Sequence, residues 1–269
     1  MLLCALGCGR VGYQQAGNTP PGDASAAPDV DADVPGPADP LPVTAGLLLW
    51  LDADDEPTVD LAAGVWRDKS GASRDAVQPT STMRPAAAPA ALNGRPAVRF
   101  DGGDDSLAVE NADGAFDTDD LSVFLVVVPR WTMLLNPGNP SPFAIRDAGD
   151  VNRISIHVAA DLGNFHSWNG DTRATSGAAL VQGQAYLLGF VWDGEVEYHS
   201  LDGAILSSHV HAFGPAALAP TREGAAEEAW EHFLGDIAEI IVYGRALGAG
   251  EIDAVEAYVE EKWAIDTSP

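Results

Sequence analysis

Three aspartate clusters are the densest concentration of chemistry in the chain: Asp52-Ala53-Asp54-Asp55, Asp101-Gly102-Gly103-Asp104-Asp105 and Asp117-Thr118-Asp119-Asp120. Carboxylates on flexible turns suit a hard cation such as calcium, which takes roughly six to eight oxygens. Asp is also a default turn residue, because its side chain bonds its own backbone and then needs no ion. No complete calcium-loop motif is present. Among the three clusters, Asp101, Asp104 and Asp105 form the first candidate metal site. His209 and His211 alternate on one strand and could share a metal, but no third ligand lies nearby.

Other residues raise bond cleavage or ligand contact. Glycoside hydrolysis needs two facing carboxylates, about 5 Å apart in a retaining enzyme. On a strand only positions i and i+2 share a face. Glu195 and Glu197 alternate, but no third acid follows. Asp236 and Glu239 are three apart, so a regular strand points them to opposite faces. Neither pair makes a cleavage site, and no Gly-x-Ser-x-Gly elbow, phosphate loop or zinc-protease motif appears. For binding, an aromatic ring in a polar loop stacks on the apolar face of a sugar while amides and carboxylates meet its hydroxyls. Phe165-His166-Ser167-Trp168-Asn169-Gly170-Asp171 fits that description. Trp168, His166, Asn169 and Asp171 are therefore the candidate ligand residues, with Trp131 as a further one. Trp50, Trp66, Trp192 and Trp263 are assigned to the core.

Composition narrows the partners. The chain has 269 residues, with 14 Lys and Arg against 40 Asp and Glu, for a net charge of −26. Such a surface repels phosphate backbones, which excludes a nucleic-acid partner. Both cysteines, Cys4 and Cys8, lie at the start, so the body carries no disulfide and no thiolate metal site. No run of eighteen apolar residues is present to cross a membrane as a helix. Residues 14 to 43 are rich in Pro, Ala and Asp and contain no aromatic residue. They cannot bury enough apolar surface to offset the entropy of ordering, so a disordered tether is expected. Its extended limit is about 90 Å.

The elements that must position these residues begin after the tether. Leu47 to Leu51, Pro96 to Phe100, Leu121 to Val128, Ile154 to Val158, Tyr186 to Trp192, Val196 to Leu201 and Ala204 to Val210 read as strands. Asp193-Gly194 and Asp202-Gly203 supply the turns of a meander. The run from Leu121 is apolar at nearly every position, which predicts a central strand. One helix is expected from about Ala249 to Trp263, where Ile252, Val255, Tyr258, Val259 and Trp263 form a stripe that packs on the sheets. Lys262 is expected to complement the helix C-terminus. The fold class is all-β: a two-sheet antiparallel β-sandwich, or jelly roll, with one C-terminal amphipathic helix.

Five segments in order resemble a laminin-G-like domain of the concanavalin A-like lectin/glucanase superfamily. They are Leu49-Trp50-Leu51-Asp52-Ala53, Trp66-Arg67-Asp68-Lys69-Ser70-Gly71, Asn93 to Gly102, Asp120 to Phe124, and Gly235 to Tyr243 with the helix after it. The resemblance spans residues 47 to 263. It implies a jelly-roll sandwich and, since such relatives often bind calcium, calcium as a candidate cofactor at the Asp101 cluster. Met1 to Cys8 resembles the end of a bacterial lipoprotein signal peptide. That likeness implies lipidation of Cys8, and Gly9 after it points to the outer membrane or cell surface.

The expected organisation is a signal remnant over 1–8, a tether over 9–43, a jelly-roll domain over 44–265 and a tail over 266–269. The expected function is a non-catalytic, lipid-anchored cell-surface module that recognises a glycan or another extracellular polymer. The alternatives are an adhesion protein that recognises other proteins, or a glycan-cleaving enzyme of the same fold.

Overall fold

A computed structural model of the chain describes residues 40–130, 140–145, 154–159, 164–168, 173–177, 180–210, 221–223 and 231–266. Among these residues the strands are β1 (Leu47–Asp52), β2 (Val59–Asp60), β3 (Val65–Trp66), β4 (Ala76–Val77), β5 (Ala86–Leu92), β6 (Arg95–Asp101), β7 (Leu107–Val109), β8 (Leu121–Pro129), β9 (Phe143–Ile145), β10 (Ile154–Ala159), β11 (Asn164–Trp168), β12 (Arg173–Thr175), β13 (Tyr186–Trp192), β14 (Val196–Leu201), β15 (Ala204–Val210), β16 (Thr221–Glu223) and β17 (Leu234–Tyr243). The one α-helix among the described residues, α1, spans Ala249–Trp263.

The strands form two sheets. Sheet A has the order β15-β14-β13-β8-β17-β6-β5, with β1 also paired to β17, and sheet B runs β12-β11-β10-β9-β16-β7-β4-β3-β2. Every ladder is antiparallel. The two sheets share one core. Leu49, Phe100, Val123, Leu125, Phe190 and Ile240 from sheet A meet Trp66, Leu107, Val109, Phe143 and Ile156 from sheet B. A second core lies on the other face of sheet A. There Phe124, Val126, Val128, Ile241 and Tyr243 pack against Val255, Tyr258, Val259 and Trp263 of the helix. Each large side chain so buried contributes about 1.5–3 kcal/mol. The apolar run of β8 follows from this layering. It is covered on both faces, so it has no polar side to show.

Strand β17 is the keystone of sheet A. One edge pairs with β8 along the strand. The other edge is divided, with Leu234 to Ile237 against β6 and Glu239 to Tyr243 against β1. The register slips at Ala238, between Ile237 and Glu239. The extra residue of a bulge changes which face later side chains take. Asp236 lies opposite Val128 and Glu239 opposite Val126, and both valines belong to the helix-side core. Asp236 and Glu239 therefore share a face, where a regular strand would have separated them.

The helix is pinned at both ends. Glu251 accepts a bond from the Gly248 backbone N–H at 3.0 Å and two from Arg245 at 2.6 and 2.7 Å. At the other end Ala264 turns left-handed, with φ 52°. Asn93 Nδ2 donates to the Trp263 carbonyl at 2.7 Å and to that of Ala264 at 3.2 Å. Asn93 and Gly94, at φ 49° and 83°, make the tight β5–β6 turn that presents this cap. Packing begins upstream of the boundary expected at Thr44. Leu41 and Val43 are buried with the helix, and the Tyr243 hydroxyl donates to the Val43 carbonyl at 2.9 Å.

Candidate functional site

The loop that carries the chain from β6 in sheet A to β7 in sheet B brings Asp101, Asp104 and Asp105 together, with ligand oxygens within 4.8 Å of one another. Local turn chemistry builds it. Asp101 Oδ1 accepts from the Gly103 N–H at 2.7 Å, and Asp105 Oδ2 accepts from the Asp101 N–H at 2.9 Å. Asp101 and Asp104 are exposed, while Asp105 is buried at 7%. Burial pushes the Asp105 carboxyl up to about 6; the Asp101 N–H bond opposes the rise, and the charges of Asp101 and Asp104 add to it. A divalent cation would relieve that repulsion. Two of the carboxylate oxygens already serve backbone N–H groups, so the triad alone falls short of the roughly six to eight oxygens calcium takes. Water would have to complete the shell.

The other two aspartate clusters behave differently. Asp52 is 1% exposed and holds both lysines of the chain, Lys69 at 2.7 Å and Lys262 at 2.7 Å. Asp54 pairs with Arg95, and Asp55 with Lys69 at 3.1 Å. Burial pushes Asp52 up, but Lys262 and Lys69 outweigh it and hold the carboxyl below its ordinary range. This cluster is satisfied by the protein's own cations. In the third, Thr118 donates its hydroxyl to the Asp120 carbonyl at 2.6 Å, as a turn side chain does.

Of the ligand residues expected from the sequence, His166 and Trp168 lie on β11 of sheet B. Register sets Trp168 opposite Ser155 and His166 opposite His157, on strands β11 and β10. Ser155 and His157 are buried, and their side chains meet at 2.6 Å. Asn169, Asp171 and Trp131 lie outside the described residues, as does His211. Arg130, the residue before Trp131, donates its N–H to the Leu234 carbonyl at 2.9 Å, and Leu234 lies opposite Asp101. Following the register across β7, β16, β9, β10 and β11, Leu107 aligns with Ser167, and Ala108 with Trp168. Strand β11, with His166 and Trp168, is separated from β7, the strand after the aspartate triad, by β10, β9 and β16.

Of the acids considered for bond cleavage, all but Glu195 are buried. Glu195 sits in the turn before β14, exposed, while Glu197 on β14 is 0% exposed. Glu197 accepts from Ser167 Oγ at 2.7 Å, and His199 Nε2 lies 3.2 Å from both Ser167 Oγ and Glu197 Oε1. This Ser–His–Glu group ties sheet A to sheet B within the core. Sequence reading passed over it, although Glu197 and His199 at i and i+2 share a face, and their register partners Trp192 and Phe190 are core residues. Asp236 is 0% exposed and is clamped by Arg99 Nε at 2.6 Å, Arg99 Nη2 at 3.0 Å and Arg130 Nε at 2.6 Å. Glu239 accepts from Trp50 Nε1, Tyr258 OH, Lys262 Nζ and Trp263 Nε1 at 2.7, 2.8, 3.0 and 2.5 Å. His209 Nε2 lies 3.3 Å from the Thr175 carbonyl, and its ring packs 5.7 Å from that of His199.

No protein-family model matches the chain, and no curated protein matches it. Solved structures do share its fold. The binding domain of Paraclostridial Mosquitocidal Protein 1 superposes with a TM-score of 0.62 at 11% identity, covering 81% of this chain and 53% of that one. A Trypanosoma rangeli sialidase in complex with sialic acid gives 0.61 at 14% identity over 82% of this chain. This chain spans 34% of that sialidase. Domain 4 of AbnA, a GH43 extracellular arabinanase from Geobacillus stearothermophilus in complex with arabinotriose, gives 0.57 at 18% identity, covering 78% of this chain and 98% of that domain. At these identities the likeness is one of fold: an antiparallel β-sandwich.

Proposed function

We propose that this chain is a non-catalytic binding module for an extracellular glycan, built as a laminin-G-like jelly roll. The observation that carries the reading is the match to AbnA domain 4. Nearly that whole domain, 98% of it, is covered, and its structure holds arabinotriose. A second neighbour holds sialic acid. The acids that could have served cleavage support the same reading. Glu197, Asp236 and Glu239 are each 0% exposed and engaged by the protein's own donors. Glycoside hydrolysis requires two carboxyls that reach the scissile bond.

In this reading Trp168 on β11, with His166, Asn169 and Asp171, forms the sugar platform, and Trp131 adds a second aromatic contact. Asp101, Asp104 and Asp105 hold calcium weakly, with water completing the shell, in the millimolar class of about 10⁻⁴–10⁻³ M. A lipid on Cys8 and the 9–43 tether place the module at the outer membrane or cell surface. The acidic charge of −26 keeps it off nucleic acid.

Pull-down of the full chain on immobilised arabinan and on sialylated glycans, with calcium or with chelator, tests the proposal. Retention is expected, and Trp168→Ala should weaken it about tenfold. No retention on any polysaccharide, or an unchanged Trp168→Ala variant, would remove the glycan from the reading. A melting temperature indifferent to calcium would remove the metal.

A further inference from the structure

The helix covers only part of sheet A. Beside its amino-terminal half, over β13, β14 and β15, lies a groove of ≈ 280 Å³. Val191, Tyr198 and Ile205 of the sheet line one wall, and Leu247 and Ile252 line the other. Three carboxylates, Asp193, Asp253 and Glu256, also line it, and no basic side chain does.

Glu256 sets this groove apart from a simple apolar hollow. It is 8% exposed, and no donor among the described residues bonds its carboxylate. Burial pushes the carboxyl up to about 7, and the neighbouring charge of Asp253 adds to the rise. A largely buried carboxylate that no donor bonds favours an approaching cation, which stabilises its charged form. Tyr198, 37% exposed, adds an aromatic face beside it, of the kind that also attracts cations.

The groove continues onto the strand that ends sheet A among the described residues. Strand β15 ends the order of sheet A, and on it Ile205 and Val210 are 71% and 75% exposed. An extended segment can add to such an edge through main-chain hydrogen bonds, with specificity supplied by side-chain pockets. A second copy of this chain suits the groove poorly, because at a net charge of −26 it would bring acid to acid.

We propose that this groove takes a lysine or arginine side chain presented by an extended, apolar segment of a partner protein that pairs with β15. The ammonium or guanidinium meets Glu256, with Asp253 and Asp193 at hand. The aliphatic stem lies along Val191, Leu247 and Ile252, and the flanking residues of the segment cover Ile205. This surface is distinct from the glycan platform proposed on sheet B.

Fluorescence anisotropy with the full chain and the labelled peptide acetyl-Thr-Val-Lys-Val-Thr-amide tests the assignment. Saturable binding is expected. Replacing the lysine by norleucine, which keeps the stem and removes the charge, should weaken it about tenfold. Glu256→Gln should weaken it by a similar factor, and Ile205→Asp on the exposed edge should abolish it. Equal affinity for the norleucine peptide, or an unchanged Glu256→Gln variant, overturns the proposal. So does the absence of saturation up to about 1 mM. Binding of a glucosamine trimer at this groove in place of the peptide would assign it to an amino sugar and likewise overturn the protein partner.

Discussion

Glu239 and Glu256 belong to one interface, where α1 meets sheet A, and burial pushes both carboxyls up. Their surroundings differ. Glu239, at the carboxyl-terminal half of the helix, takes bonds from Trp50, Tyr258, Lys262 and Trp263. Lys262 reaches on to Asp52, and Asp52 to Lys69, so two acids and two lysines share one chain of contacts. Glu256, at the open groove, has no donor among the described residues. The difference teaches how the polar groups divide their roles. Where the helix closes on the sheet, charge is used to fix its position. Where it does not close, charge is left facing a groove. On the closed side Asp52, Asn93 and Glu239 bond the helix directly, while Trp50 bonds Glu239 and Lys69 bonds Asp52.

Lys262→Met should break the comparison most severely. Methionine keeps the length and loses the ammonium, which leaves Glu239 and Asp52 buried with their shared partner gone. Removing one member of a buried ionic group costs about 3–5 kcal/mol. Urea unfolding monitored by tryptophan fluorescence would read this as a lowered midpoint. A loss below about 1 kcal/mol would mean that the network follows helix docking and does not secure it.

Glu256→Gln tests the opposite end and should act in the opposite direction. With a folded-state pKa of about 7, above the ordinary carboxylate value, Glu256 holds its proton more tightly in the folded protein than in the unfolded chain. Its stabilising protonation is complete below about pH 4.3 and is lost as pH rises towards 7. Glutamine does not titrate. The variant should therefore match the parent at pH 4 and exceed it by about 2 kcal/mol at pH 8. Thermal melts at the two pH values supply the check. A variant no more stable at pH 8 would show that Glu256 is already neutralised there.

Much of the frame was legible because it rests on periodicity. The stripe through Val255, Tyr258, Val259 and Trp263 located α1, and the alternation in Tyr186 to Leu201 located β13 and β14 at their observed limits. Strand β5 was not legible. Ala86 to Leu92 is mostly alanine around Pro89, with no β-branched residue, and it forms a strand only as the outer neighbour of β6. The facing of Glu239 was hidden for another reason. It depends on the bulge at Ala238, and nothing in the alternation announces one extra residue. From the sequence, Lys262 reads as an end-of-helix charge suited to the dipole. It is in fact buried, because Asp52 and Glu239 arrive beside it from strands distant in sequence. The Asp101 triad could be read from spacing alone, since its turn is local. The Glu256 groove could not, since it is made by what the helix leaves uncovered.

The smallest expected effect sharpens the contrast between the two halves of the helix. Asn93→Gly retains the left-handed backbone at φ 49° but removes both bonds to the Trp263 and Ala264 carbonyls. The loss should be about 1 kcal/mol, the net value of the 2.7 Å bond to Trp263, since the longer bond to Ala264 is exposed and water replaces it. It should be local, because the amino-terminal end is held separately by Arg245 on Glu251. Amide hydrogen exchange should therefore quicken over the last turn, around Lys262 and Trp263, and remain unchanged near Ile252. Uniform quickening along α1 would mean that the helix opens as one unit, so that its closed and open ends cannot be treated as independent.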